Sequence, residues 1–153
     1  MKNQQKTINS LEIWVGIGCN RGVSEYLLET AIKEVFKNHK LEIKNITGIA
    51  TIDTKANESS ILQLCQKNKW QLKTFSSEQL KNIPVPNPST IPETTVGTKS
   101  ICEAAAILAT LKPNQILPSQ NQNFAATTLK IQKQKYRHPT ETGTVTIAIA
   151  ETY

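Results

Sequence analysis

No stretch of this 153-residue chain approaches the roughly 20 consecutive apolar side chains that a membrane-spanning helix requires, so a soluble globular protein with no membrane partner is expected. The opening MKNQQKTINS has two lysines but neither an apolar centre nor a small-residue cleavage site, and it reads as a flexible leader, not a secretory signal. Cysteine is sparse and odd in number: Cys19, Cys65 and Cys102 stand far apart with no CxxC pair. That spacing argues against a disulfide framework and a structural zinc site, and it fits a reducing cytoplasm. Histidine occurs only at positions 39 and 138, and Asp53 is the sole aspartate. No metal-ligand set is evident, and no cofactor is expected.

What the chain has in excess is positive charge, 18 Lys and Arg against 12 Asp and Glu, for a net +6. The lysines are scattered. Their densest run, KIQKQKYRH over Lys130–His138, alternates like an edge strand guarded by charge and holds a single aromatic, so nucleic acid is not the expected partner.

At this length one domain is expected, with residues 11–153 around one core. LEIWVGI, Leu11–Ile17, is apolar on both faces, as a central strand covered from both sides must be. From Ser24 the period changes. Leu27, Leu28, Ala31, Ile32, Val35 and Phe36 form a helical stripe to about Asn38, and Glu29 can pair with Lys33. A second strand is expected over Asn45–Ile52. A helix follows over Glu58–Asn68 with Ile61, Leu62, Leu64 and Cys65 inward. A short strand over Trp70–Phe75 leads to a brief helix capped by Ser76 or Ser77. Prolines between Pro84 and Pro92 make a stiff connection. The alanine-rich helix over Ile101–Leu111 comes next, suited to a close fit on the sheet. Strands over Phe124–Lys133 and Thr144–Thr152, around HPTETG, close the chain as a hairpin. The pattern predicts an α/β fold: a three-layer α/β/α domain whose mixed, mainly parallel sheet carries an antiparallel edge hairpin.

In such folds the loops leaving the carboxyl ends of the strands share a crevice. Three polar loops are candidates: GCNRG, IDTKANE and VGTKS. Gly16, Gly18 and Gly22 give GxGxxxG, neither the dinucleotide spacing nor a phosphate loop with its lysine, so a Rossmann-like nucleotide-binding module is the lesser reading. Cys19 meets a helix start beside Arg21, which would lower a thiol pKa, yet no histidine is tied to it by spacing. A weakly polar pocket wall is the preferred role. Asp53 reads either as a general base or as a turn cap. Lys55 and Glu58 complete its loop, as ligand contacts or as solvated charges. Ser100 and Glu103 match an S-x-x-E capping box, while Gly97, Thr98, Lys99 and Ser100 with the helix-end N–H groups can hold a carboxylate.

Taken in order, VGIGCNRG, ATIDTKANE, FSSEQL, VPNPS, VGTKSICEAAAILA and VTIAIA resemble the CobE family and the C-terminal domain of CbiG, both of cobalamin biosynthesis, from about Trp14 to Ala150. The chain departs from the family pattern at Asn20, at Lys99 and in a longer segment around Gln120–Glu141. The resemblance implies an α/β domain that holds, or acts on, a corrin-pathway tetrapyrrole. It also implies as partners other enzymes of that pathway or a separate CbiG N-terminal part. For CbiG the implied reaction opens the lactone of cobalt-precorrin-5A and releases acetaldehyde. Asp53 as acid/base and Arg21, Lys55 and Lys99 as cation clamps are the available residue types. Two function classes stay open: a hydrolase or hydrolase component, and a non-catalytic corrinoid-binding accessory.

Overall fold

The first strand, β1 (Glu12–Cys19), takes the middle of the sheet because none of its faces or edges is left to water. Ile13, Val15 and Ile17 point to one layer of helices and Trp14 to the other. The structure, a computed structural model, describes residues 11–83, 85, 100–111 and 129–152. Among these, five strands line up in the order β3-β2-β1-β5-β4, with β2 (Ile46–Ile52), β3 (Gln71–Phe75), β4 (Leu129–Tyr136) and β5 (Val145–Thr152). The pairs β1/β2 and β2/β3 are parallel; β1/β5 and β5/β4 are antiparallel, so the C-terminal hairpin supplies the antiparallel part. The fold is the expected α/β class.

One layer holds α1 (Glu25–Asn38) and α2 (Ser59–Asn68). Ser24 caps α1 by accepting from the Leu27 N–H at 3.0 Å, and the buried stripe is the six residues that the spacing predicts. The expected Glu29–Lys33 pair forms at 3.3 Å, and Lys67 of α2 reaches Glu29 at 3.1 Å, an exposed link between the helices. Such pairs are worth only about 0–1 kcal/mol, so apolar burial does most of the fixing. Cys65 is a core residue, as expected. Leu62 is not: it is 42% exposed, because Ile61, Leu64 and Cys65 already fill the narrow stripe that α2 turns inward and Leu62 falls outside it.

The opposite layer holds α3 (Ser77–Lys81) and α4 (Ile101–Ala109). Ser76 caps α3 with a full capping box: its hydroxyl accepts from the Gln79 N–H at 3.1 Å, and the Gln79 side chain accepts from the Ser76 N–H at 2.9 Å. α4 lies very close to the sheet. Its Ala104, Ala105, Ala106 and Ala109 face a strand surface built from Ala50, Ala148 and Ala150, with Gly16 beneath Cys102. Small side chains on both surfaces allow that approach.

The capping box expected at Ser100 and Glu103 is absent, since the Ser100 side chain makes no cap bond. Glu103 is wholly buried, and its carboxylate accepts from the Lys133 N–H at 2.8 Å. The reason lies in β4, whose register against β5 slips between Ile131 and Gln134; that bulge takes the Lys133 N–H out of the regular ladder and turns it to a buried acceptor. β4 runs on to Tyr136, past the Lys133 at which its pattern ends, and forms the edge of the described sheet, with Lys130 paired to Glu151 at 3.4 Å. The proline-rich connection, Gly97, Thr98, Lys99 and the expected strand residues 124–128 lie outside the described residues.

Candidate functional site at the carboxyl edge of the sheet

The parallel strands β1, β2 and β3 run the same way, so Cys19, Ile52 and Phe75 end at one edge. The segment after β1 turns at Gly22, whose φ of +85° favours glycine although a side chain there would point into open space. The segment after β2 makes a short 3-10 turn over Asp53–Lys55, held by the Ala56 N–H on the Asp53 carbonyl at 3.0 Å, and delivers Glu58 to the start of α2. Glu58 does not cap its own helix. Its Oε2 accepts from the Gly22 N–H at 2.9 Å, which joins GCNRG to IDTKANE.

Two further elements meet there. The start of α4 lies against the end of β1, because a Cβ on Gly18 would come within 4.0 Å of the Ile101 Cβ. Ser100 is therefore near the same strand end. The β4–β5 turn is tied to the loop after β1: the Asn20 side-chain oxygen accepts from the Thr144 N–H at 2.7 Å, and the Ser24 hydroxyl donates to Glu141. Gly143, at φ +100°, sits where a Cβ would be 2.7 Å from a methyl of Val23. These contacts join residues 124 and 117 positions apart, and no local pattern in the sequence announces Asn20 or Glu141. The only hint is the turn chemistry of HPTETG.

The predicted site residues fall into three groups. Gly18, Cys19, Gly22, Lys55 and Glu58 come together, with Arg21 exposed on the same loop and Asp53 exposed at the next strand exit. Gly16 is buried under α4, where its missing side chain serves the close contact with that helix. Gly97, Thr98 and Lys99 are not among the described residues, and the structure does not place them. Among the described residues no group of His, Cys, Asp and Glu could hold a metal ion, and no helix is long and apolar enough to cross a membrane.

Electrostatics reverse the expectation for Cys19. Burial of the half-exposed thiol raises its pKa; Lys55 pulls it down, and the Glu58 carboxylate pushes it up again. Arg21 is not the charge that governs it. Cys65 and Cys102 are pushed up to about 11, chiefly by burial. Alkylation followed by mass spectrometry should therefore label Cys19 slowly at neutral pH, with a rate rising about tenfold per pH unit, while Cys65 and Cys102 react only on unfolding. A Cys19 rate already at its plateau at pH 7 would show an activated thiolate.

A mixed sheet between helical layers, with polar loops gathered at the strand exits, defines an α/β domain of the kind that receives ligands at that edge. The family model for the cobalamin synthesis G C-terminus matches residues 13–150, and the chain belongs to that family. It is 28% identical over 136 residues to the cobalt-precorrin-5A hydrolase of Priestia megaterium, a match covering 89% of this chain and 31% of that protein. A probable cobalt-precorrin-5A hydrolase of Methanocaldococcus jannaschii is 29% identical over 76 residues, 50% of this chain and 24% of its own. The chain thus spans about a third or less of these curated relatives. Among solved structures, that of CobE, a protein from the cobalamin (vitamin B12) biosynthetic pathway, is similar with a TM-score of 0.69 at 20% identity, covering 93% of this chain and 94% of CobE. A cobalamin biosynthesis protein G homologue from Sulfolobus solfataricus gives 0.60 at 18% identity over 92% of this chain and 37% of its own. At these identities the likeness is one of fold. Nothing in the comparisons favours a nucleotide-binding module.

Proposed function

We propose that the domain binds a corrin-pathway tetrapyrrole intermediate at the carboxyl edge of its sheet and holds it by its carboxylate arms. The observation that carries this reading is the Gly22–Glu58 hydrogen bond, which gathers Cys19, Arg21, Lys55 and Glu58 into one place in a chain of the cobalamin-synthesis family. A macrocycle bearing several carboxylates needs cations and N–H donors in that arrangement. Arg21 grips a carboxylate with two parallel bonds, and Lys55 adds a second charge. The chemistry at the edge favours holding over hydrolysis: the Cys19 thiol is kept protonated, and the Glu58 carboxylate is already engaged by a backbone N–H. Asp53 remains the acid/base candidate for the second reading, in which the domain is a component of a cobalt-precorrin-5A hydrolase that opens the lactone and releases acetaldehyde. The hydrolases among its relatives support that reading.

Titration of a corrin-pathway intermediate tests both. Arg21→Ala should weaken binding by roughly tenfold to a hundredfold, the equivalent of one charge-assisted hydrogen bond, whereas Lys44→Ala, on a remote exposed turn, should change it less than about twofold. Binding should also weaken with added salt. Equal losses in both variants would mean that net charge alone drives association. Acetaldehyde release that disappears in Asp53→Asn would favour the hydrolase component over the carrier.

A further inference from the structure

We propose that Glu58 is a positioning residue, whose buried carboxylate holds the loop after β1 so that Arg21 projects from it, and that Asn20 holds the other side of the same arginine. The proposal rests on the reading of this edge as a carboxylate-binding site. Arg21 stands between two tied neighbours. On one side Asn20 exchanges contacts with Thr144, its side-chain oxygen accepting at 2.7 Å and its N–H reaching the Thr144 carbonyl at 3.4 Å. On the other side the Gly22 N–H donates to Glu58 at 2.9 Å. Arg21 itself is exposed. The loop is thus fixed at both flanks by partners from different elements, the β4–β5 turn and the start of α2, while its central side chain stays open to solvent.

Glu58 is an unusual group to spend in this way. It is only 7% exposed, and a buried carboxylate is costly unless hydrogen-bonded. As the N-cap residue of α2 it could accept from its own helix, yet it makes no cap bond there and reaches instead across 36 residues of sequence. Gly22 gives its N–H to the carboxylate and then turns the chain at positive φ, in a place with room for a side chain. The backbone angle, not crowding, is what calls for glycine. A negative group beside a site for carboxylates would oppose the ligand if it were a contact. As a support for the loop its charge is dispensable, and only its acceptor oxygen is needed.

That distinction sets the experiment. The probe is cobyrinic acid, a corrinoid with free carboxylate arms, titrated against the intact chain. Glu58→Gln keeps an acceptor for Gly22 and loses the charge, so affinity should be unchanged or a few-fold tighter. Glu58→Ala and Asn20→Ala should each weaken binding on the order of tenfold, and neither should weaken it further when Arg21→Ala is already present. Asn20 is exposed, so its variant stands in if Glu58→Ala fails to fold. Glu58→Gln should also speed alkylation of Cys19 at a given pH, because a charge that holds the thiol protonated is gone. A loss in Glu58→Gln as large as in Glu58→Ala would overturn the proposal and make Glu58 a ligand contact. Losses that multiply with Arg21→Ala would overturn it as well. If Arg21→Ala binds like the native chain, or the native chain takes up no cobyrinic acid, the site reading itself fails. Amide exchange at Gly22 then decides the positioning role alone: protection kept in Glu58→Gln and lost in Glu58→Ala is expected, and equal protection in the native chain and Glu58→Ala would refute it.

Discussion

Gly16→Ala should be the most damaging single methyl group that can be added to the described part of this domain. A Cβ at that position would stand 1.9 Å from the Cys102 carbonyl oxygen and 3.0 Å from the Ala106 methyl. Backbone cannot rotate aside as a side chain tip does, so α4 must lift from the sheet. The alanine surfaces that meet there would then lose contact along the length of the helix. Overpacking usually costs about 1–3 kcal/mol, and a clash with helix backbone belongs at or above the upper figure. Urea denaturation is the measurement, with a lowered midpoint at unchanged slope as the expected result. Gly22→Ala is the contrast: there the space is open and only the positive φ is strained, so roughly 1 kcal/mol is expected. A Gly16→Ala protein as stable as Gly22→Ala would show that α4 is not seated as closely as described.

The second large effect is expected at Glu103. Glu103→Ala removes the acceptor of the Lys133 N–H and opens a hole in a wholly buried place, at a cost of about 2–3 kcal/mol. The loss should be local first. Amide exchange at Lys133 and along β4 should accelerate more than exchange in β1 or β2, because the edge strand loses its link to α4 while the central ladder keeps its own bonds. Glu103→Gln, which retains an acceptor oxygen, should recover part of the stability and most of the protection. Uniform acceleration through the sheet would mean that Glu103 supports the whole core and not the edge.

The legible parts of this molecule are those in which chemistry and position are close in the chain. The stripe from Leu27 to Phe36, the change of period at Ser24, a helix capped by Ser76 or Ser77 and the two-sided apolar run of β1 each depend on neighbours a few residues away, and each agrees with the structure. Leu62 fails because a period of 3.6 assigns a face but does not tell how wide a face the partner helix covers. Ser100 and Glu103 fail for a similar reason: S-x-x-E fits a cap, yet the pattern carries no information about a bulged edge strand waiting 30 residues on. The strand-exit position of GCNRG and IDTKANE is legible from alternation alone. The partners that fix GCNRG are not, since Glu58, Thr144 and Glu141 reach it across the fold.

The place of β5 carries a consequence for how the domain is made. The strand paired along β1 is β5, the last of the five described strands, with Glu12 opposite Thr152 and Cys19 opposite Val145. A growing chain emerges from the ribosome with β1, β2 and their helices available early, but one flank of β1 has no partner until residues 145–152 have been made. Local helices can form in the nascent chain, whereas this ladder must close the longest loop between paired strands of the described sheet, a slow step in folding. During that interval the apolar flank of β1 is open to pairing with other chains. Translation stalled or truncated before residue 145 therefore leaves an incomplete sheet with its middle exposed, not a complete domain lacking an ornament at its edge.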